Sequence, residues 1–444
     1  MKEFDFTTGS IKKIILRFFF PMLVTNTLTQ VYSFADMAVI GKSIGDNSVA
    51  AVGNFTTLSF FITGFIMGIT NGFSVNFSHE YGKKDYLSLR KNIASSIKLS
   101  LLFSAFFTLF GILLLKPALS LMKTDEILMK ECLEYGHAIF VGLIITVSYN
   151  LLSSLLRAIG DNKTPLISVI ISSVINIILD LFTVYVLKLG VIGPALATVF
   201  AQLVSVIICL IKLYSLEVLR LHKKDFAAEN NLIIKLLKNG IPMAVMNSIT
   251  SVGCIFVQSC INSYSVAYTT AYSTGNKFLN MLMLPGITLS FTIATFTGQN
   301  FGAKKIDRIQ SGVKLSVIIG ILSALFLCPI LLLFSHQFSK LILSGNDAVN
   351  YTSSYLSVLS IIIVLLYLLF IFRGCIQSLG KPLFPLISGL FEMIIRILFI
   401  YFGLPVFGFK ASIYAEGLAW TGALAVNFIA YFCYFRHLCP RNLN

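Results

Sequence analysis

Twelve apolar runs, each long enough to cross a bilayer, leave this chain very few folds. A helical crossing takes about 20 residues. The runs lie at about 14–39, 49–77, 93–115, 133–156, 165–187, 191–215, 232–262, 268–297, 312–334, 351–375, 384–405 and 411–435. In hydrocarbon every backbone N–H and C=O must be bonded inside the protein, which admits only helices and closed barrels. Continuous rather than alternating runs select helices. With 56% hydrophobic and 12% charged residues and a mean hydropathy of +0.86, the chain is not a soluble domain. The expected fold class is an all-α membrane protein with 12 transmembrane helices. Lys2, Lys12 and Lys13 precede a first run too long for a secretory signal, so the first helix is expected to stay.

The net charge of +15 reads as the positive-inside bias of a membrane protein, not as a nucleic-acid surface. Sorted by the loops between runs, 24 Lys and Arg, Arg373 among them, fall on the side that holds both termini, and 7 fall on the other. Such a split requires an even number of crossings and predicts cytoplasmic termini in a plasma-membrane protein. The eight cysteines lie mostly inside apolar runs without a CxxC, which indicates neither a metal site nor a disulfide framework.

The chain repeats itself. Pro21-Met22-x-Val24-x-Asn26 returns as Pro242-Met243-x-Val245-x-Asn247. Tyr81-Gly82-x-Lys84 returns as Phe301-Gly302-x-Lys304, and Pro165-Leu166-Ile167-Ser168 as Pro385-Leu386-Ile387-Ser388, with Gly160 matching Gly380. The offset is 220 or 221 each time, so the chain reads as two six-helix lobes, 1–216 and 232–444, joined by a polar cytoplasmic linker at 217–231. An even number of crossings per repeat puts both lobes the same way up, related by a pseudo-two-fold along the membrane normal. Two such lobes suit alternating access around a midplane site.

Polar residues inside the runs carry the chemistry. Ser172, Asn176 and Asp180 are spaced i, i+4, i+8 and share one helix face. A carboxylate in a spanning helix costs roughly 2.5–3.5 kcal/mol on insertion scales, so such a residue faces a cavity or a partner. One reading is a buried Asp that pins helix packing; the other is a ligand for a coupling cation. The repeat partners of Asp180 and Asp36 are Ile400 and Val257, which places the unshared acids in the N-terminal lobe. Asp36 closes a polar stripe with Asn26, Gln30 and Ser33. It reads either as an interfacial residue, since Gly41-Lys42 follows, or as the partner of Asp180, where one proton or one sodium ion would relieve the repulsion of two carboxylates. Asn176 and Thr198 offer neutral oxygens. In the other lobe Glu392 and Arg396 are placed to pair along a helix, either as a structural pair or as a substrate-orienting or gating pair. Lys277 is a further intramembrane cation that suits either a carboxylate or an anionic group. The 39 Phe and 17 Tyr fit an aromatic cavity for flat lipophilic cations. Gly41-Lys42-Ser43 ends like a phosphate-binding loop, but the required earlier glycine is Asp36, so ATP is not the expected energy source. No nucleophile and base stand paired, so no enzyme is expected.

Several motifs carry a resemblance: Pro21 with Asp36-x-x-x-x-Gly41; His79-Glu80-Tyr81-Gly82-Lys83-Lys84; Arg157-Ala158-x-Gly160-Asp161 leading to Pro165; and above all Gly298-Gln299-Asn300-Phe301-Gly302-Ala303. Over essentially its whole length the sequence resembles the multidrug and toxic compound extrusion (MATE) family. The resemblance implies an exporter of organic cations and other drugs that exchanges them for protons or sodium ions. It also implies a cation site in the N-terminal lobe patterned like Asp36, Asn176, Asp180 and Thr198. Some members place acids on the seventh helix instead; here that helix has Gln258 and no acid between Gly240 and Ser263. The expectation is a monomeric secondary exporter for small organic substrates in the lipid bilayer. It needs no cofactor beyond the coupling H+ or Na+, and Asn26, Gln30, Gln258, Lys277, Glu392 and Arg396 line its cavity or gate. The alternative within the same superfamily is a flippase for a lipid-linked glycan or peptidoglycan precursor.

Overall fold

The computed structural model describes residues 5–122, 124–227, 230–343 and 345–438, apart from the side chains at 32–39, 41–43, 46–47, 57 and 436–438. Among these residues there are fourteen α-helices and no strand. In the first half they are α1 (Ile11–Ser43), α2 (Asp46–Lys83), α3 (Tyr86–Leu121), α4 (Glu126–Val141), α5 (Leu143–Ala158), α6 (Lys163–Leu181) and α7 (Ile192–Ser215). In the second they are α8 (Asn230–Asn262), α9 (Val266–Leu282), α10 (Leu284–Gly302), α11 (Ile306–Ile342), α12 (Asn346–Ser378), α13 (Leu383–Phe407) and α14 (Lys410–Leu438). Eleven described spans are long and apolar enough to cross a membrane, with α9 and α10 taken as one. The pair α4 and α5, bent by 49°, makes the twelfth if it forms one span. The 12-helix expectation stands on that basis.

The two halves break different members of the repeat. In the first half the fourth span bends at Gly142, where a Cβ would lie 2.4 Å from Val199 Cγ2. In the second half it is the second span whose helix is interrupted, at Met283 between Leu282 and Leu284, and Pro285 supplies no N–H to the helix ladder there.

The repeat motifs are helix stops. Lys84 and Lys304 both take left-handed backbone, at φ 62° and 58°. At the first, the Lys84 and Asp85 N–H groups bond the Tyr81 and Glu80 carbonyls at 3.0 Å each. At the second, Lys304 and Lys305 bond Phe301 at 3.0 Å and Asn300 at 2.8 Å. The same paired closure follows α5 at Gly160 (φ 92°) and α12 at Gly380 (φ 74°). A third left-handed pair, Lys188 and Gly408, keeps the same 220-residue spacing. Asp85 then starts α3: the Ser88 backbone N–H and hydroxyl bond its carboxylate, which holds that carboxyl below its ordinary value.

The chain packs as two compact units. The first comprises Asp5 and Phe20–Ala244, the second Phe6–Phe19 and the chain from Val245 onward. Packing and repeat therefore divide the chain at different places. The change of unit falls beside Pro21 in α1 and beside Pro242 in α8, the prolines of the repeat motif. Within the first unit Phe73, Phe77, Ile93 and Leu155 form one buried cluster and Phe55, Ile66, Leu115 and Phe140 another. Within the second, Tyr272, Tyr355, Tyr367 and Trp420 anchor the core. Large apolar side chains such as Leu325, Phe326 and Leu333 on α11 point outward, as a lipid-facing surface demands.

In the first unit α2 and the leading part of α8 come close enough for backbone to meet backbone. Gly68-x-x-x-Gly72 meets Gly240-x-x-x-Ala244. A Cβ on Gly72 would sit 2.4 Å from the Gly240 Cα, and one on Gly68 2.4 Å from the Ala244 Cα. Small residues four apart on both helices allow this contact, as is common between membrane helices. Both obstructing atoms are backbone, so neither can yield. Gly72→Val is expected to force the helices apart and lower stability by roughly 1–3 kcal/mol, read as a lower thermal midpoint in detergent; an unchanged midpoint contradicts the close crossing.

Candidate functional site

In the first unit the face of α6 that carries Ser168, Asn176 and Asp180 is turned inward, and all three are fully buried. It packs on α7. The Ser205 hydroxyl donates to the Ser168 carbonyl at 3.2 Å, and Cys209 Sγ lies 3.9 Å from the Ser168 hydroxyl. Higher along the pair, Asn176 Nδ2 reaches Thr198 Oγ1 at 3.4 Å, a long and weak hydrogen bond. The Asn176 Oδ1 acceptor has no hydrogen-bond partner among the described residues although it is buried. One turn on is the Asp180 carboxylate. Directly after it the helix widens into a single π-helical stretch, Phe182–Val186, with Thr183 Oγ1 donating to the Asp180 carbonyl at 3.2 Å. Such bulges occur often at functional sites.

The structure thus brings together three of the four residues expected to bind a cation: Asn176, Asp180 and Thr198. The fourth, Asp36, lies in α1 with its side chain outside the described residues. Asn26 and Gln30 are half-buried on the same helix beyond Pro21. There Thr25 and Thr29 bond back to the carbonyls of Pro21 and Thr25, both at 2.9 Å, a pattern that bends helices. An amide oxygen, a hydroxyl and a carboxylate form a hard, all-oxygen donor set. It fits a proton or an alkali cation and not a thiophilic transition metal.

In the second unit Glu392 and Arg396 do pair, at 3.1 Å, but within a larger arrangement. Arg373 on α12 bonds the other oxygen of Glu392 at 2.8 Å and the Ser388 hydroxyl at 3.1 Å. Arg396 bonds Glu416 on α14 at 2.8 Å, and its other terminal nitrogen lies 3.7 Å from Cys254 Sγ on α8. The charges alternate Arg373, Glu392, Arg396, Glu416, and all four side chains are more than nine-tenths buried. Charge balance makes this burial tolerable. Assigning Arg373 to a cytoplasmic loop therefore needs correction: it is a buried residue of α12 that joins that helix to α13. Glu416, a lone acid in an apolar run, is the member of the row that the sequence reading misses. The signal for both lay in the repeat, since Arg373 matches Ser153 and Glu416 matches Leu196. Gln258 donates to Asn262 Oδ1 at 2.7 Å, and Lys277 is exposed on α9 and joins no ion pair among the described residues.

Comparison with known proteins agrees with the repeat. The MatE family model matches residues 21–182 and, separately, 242–402. This chain belongs to the MatE family. Its members are transporters, so this MatE protein is a membrane transporter and not an enzyme. Among its relatives is the probable multidrug resistance protein YoeA of Bacillus subtilis, 26% identical over 86% of this chain and 85% of that protein. The multidrug export protein MepA of Staphylococcus saprophyticus is 22% identical over 96% and 95%. Among solved structures, a multidrug-resistance MATE transporter of the MOP superfamily in an outward-facing conformation superposes with a TM-score of 0.92 over 99% of both chains at 20% identity, which shows the shared two-lobe fold.

For this MatE chain the four-charge row sets a stability prediction. Arg396→Met strands Glu416 and is expected to cost roughly 3–5 kcal/mol. Adding Glu416→Gln should restore part of that loss, because the stranded charge goes with it. Unfolding of the two single variants and the double variant in detergent checks this; strictly additive losses contradict the pairing.

Proposed function

We propose that the chain is a secondary active multidrug exporter that antiports lipophilic and cationic organic compounds against H+ or Na+ by alternating access. The observation that carries the coupling site is the buried, unpartnered Asn176 Oδ1 one turn from the buried Asp180 carboxylate. A buried acceptor without a donor is costly, and a cation or a proton-bearing group supplies what it lacks. In this reading Asp180, Asn176, Thr198 and Asp36 bind the coupling ion in the N-terminal lobe. Substrate is met by Asn26, Gln30, Gln258 and Lys277. The names of the relatives support drug efflux as the class.

The row of Arg373, Glu392, Arg396 and Glu416 takes a structural role in this reading, because every charge in it has a partner of opposite sign. The same balance counts against a flippase for pyrophosphate-linked precursors, whose substrate needs uncommitted positive charge. The protein works as a monomer in the cell membrane, with both termini in the cytoplasm.

Proteoliposomes loaded with a fluorescent organic cation, given a proton gradient and a sodium gradient separately, test the reading. Wild type is expected to export under one of them, and Asp180→Asn to lose at least tenfold of that rate while still inserting and folding. Export by Asp180→Asn at the wild-type rate removes Asp180 from the coupling site; no response to either gradient in wild type removes the antiport reading.

A further inference from the structure

Two binding arrangements outside the coupling site stand at matched positions in the repeat. In the first unit, the leading part of α8 lies on the end of α2. Lys235 Nζ donates to Glu80 Oε1 at 2.9 Å, and Lys83 Nζ bonds the same carboxylate at 3.1 Å. Further along, Asn239 Nδ2 donates to Asn76 Oδ1 at 3.3 Å, followed by the close crossing at Gly72 and Gly240. The four steps 80–235, 76–239, 72–240 and 68–244 run antiparallel, from charged to tightly packed.

In the second unit the receiving helix end holds a different kind of guest, the chain's own residues 6–9. Gln299 Oε1 accepts from the Phe6 N–H at 3.1 Å and Asn300 Nδ2 donates to the Phe6 carbonyl at 3.1 Å. Lys305 bonds the Thr7 carbonyl at 2.8 Å. The Arg308 guanidinium bonds the carbonyls of Phe6 at 3.1 Å, Thr8 at 3.4 Å and Gly9 at 3.0 Å, and is itself held by Asn300 Oδ1 at 3.1 Å. Four successive carbonyls are thus captured. The Phe6 ring is fully buried, edge-on to Phe18 at 5.2 Å and 6.3 Å from Phe296. Gln299 and Asn300 belong to the Gly298–Ala303 motif, and the structure gives that motif a ligand.

Glu80 and Asn300 are 220 residues apart and occupy the same place in their halves. Each receives the segment that leads into the first helix of the other half. Each of those helices, α1 and α8, then changes compact unit beside its proline. Proline removes the helical hydrogen bond to the carbonyl four residues before it, so the segment on either side can turn at small cost. The bonds in the first dock suit a contact that opens and closes. Lys235 and Lys83 are 43% and 47% exposed, so water reaches the lysine ends of both pairs, although the Glu80 carboxylate they hold is itself only 5% exposed. In the row of four charges on α12–α14 the cations are buried as well as the carboxylates.

We propose that these two docks are reversible latches: the Gln299–Asn300–Arg308 site binds residues 6–9, the Glu80 site binds Lys235, and both release once in each transport cycle. The cycle itself rests on the alternating-access reading above. The test uses spin labels on genetically encoded keto residues, one pair at Lys12 and Ser311 for the second-unit dock and one at Leu87 and Ile234 for the first, all four positions being outside the buried core. In lipid nanodiscs each wild-type pair is expected to show two distance populations whose ratio shifts between proton-loaded, sodium-loaded and ethidium-loaded protein. Asn300→Ala with Arg308→Ala should enlarge the long population of the first pair severalfold, and Glu80→Gln that of the second. One fixed distance for both wild-type pairs under every condition overturns the latches, whatever the variants do. The two readings fail separately: gradient-driven export with fixed distances sinks the latches alone, whereas distances that shift while no gradient drives export sink the antiport reading and leave the latches standing.

Discussion

Hydrocarbon offers a stray hydrogen-bonding group no water, and the rest of this structure follows from that constraint. It forces the backbone into helices. The left-handed turns at Lys84, Gly160, Lys304 and Gly380 close four of those helices with paired N–H to carbonyl bonds, at matched places in the repeat. It also makes every buried polar side chain a matter of partners. The four alternating charges of the second unit satisfy one another. The Asn176 amide oxygen in the first unit does not find a donor among the described residues, and that difference separates a brace from a candidate ion site.

The two halves show how a duplicated scaffold acquires unlike interiors. The helix stops and the prolines are shared. The interior faces of α6 and α13 start from the same Pro-Leu-Ile-Ser and then part: Asn176 stands opposite Arg396, and Asp180 opposite Ile400. Loss of a charge in one half and its gain in the other leave the shared backbone unchanged, since helices form from backbone bonds whichever side chains they carry, and the cost of the charge falls on the partners it needs. The interruptions lie in different spans as well, at Gly142 in one half and beside Pro285 in the other, with close packing at the first and a missing N–H at the second.

Much of the fold was legible because its signals are long and additive. Apolar runs of 20 residues and more do not arise from local accidents, and all twelve correspond to helices or helix pairs. The motif repeat marked the helix stops correctly, although nothing in the sequence alone says that they are left-handed closures. What stayed hidden depends on contacts between distant segments. Arg373 sits near the end of an apolar run and reads as a loop residue; only Glu392, on the next helix and beside it in the fold, marks it as buried. Glu416 is one acid in an apolar helix, and only its neighbour on α13 explains it. On the candidate ion site, the i, i+4 spacing of α6 was enough to place Asn176 and Asp180 on one buried face, whereas Thr198 reaches them only through the packing of α7.

The exchange of leading segments between the halves also sets a schedule for synthesis. A chain cut at the linker would leave each half short of a piece of its own compact unit. The main chain of Phe6 is bonded by Asn300, 294 residues later. At about 5–20 residues per second the ribosome needs roughly 15–60 s to make that distance. For that interval the carbonyls of residues 6–9 lack their native donors, while the first unit waits for its last element until Ala244 has been made. Residues 6–9 must therefore be among the last parts of the molecule to take their final place, although they leave the ribosome long before the residues that hold them.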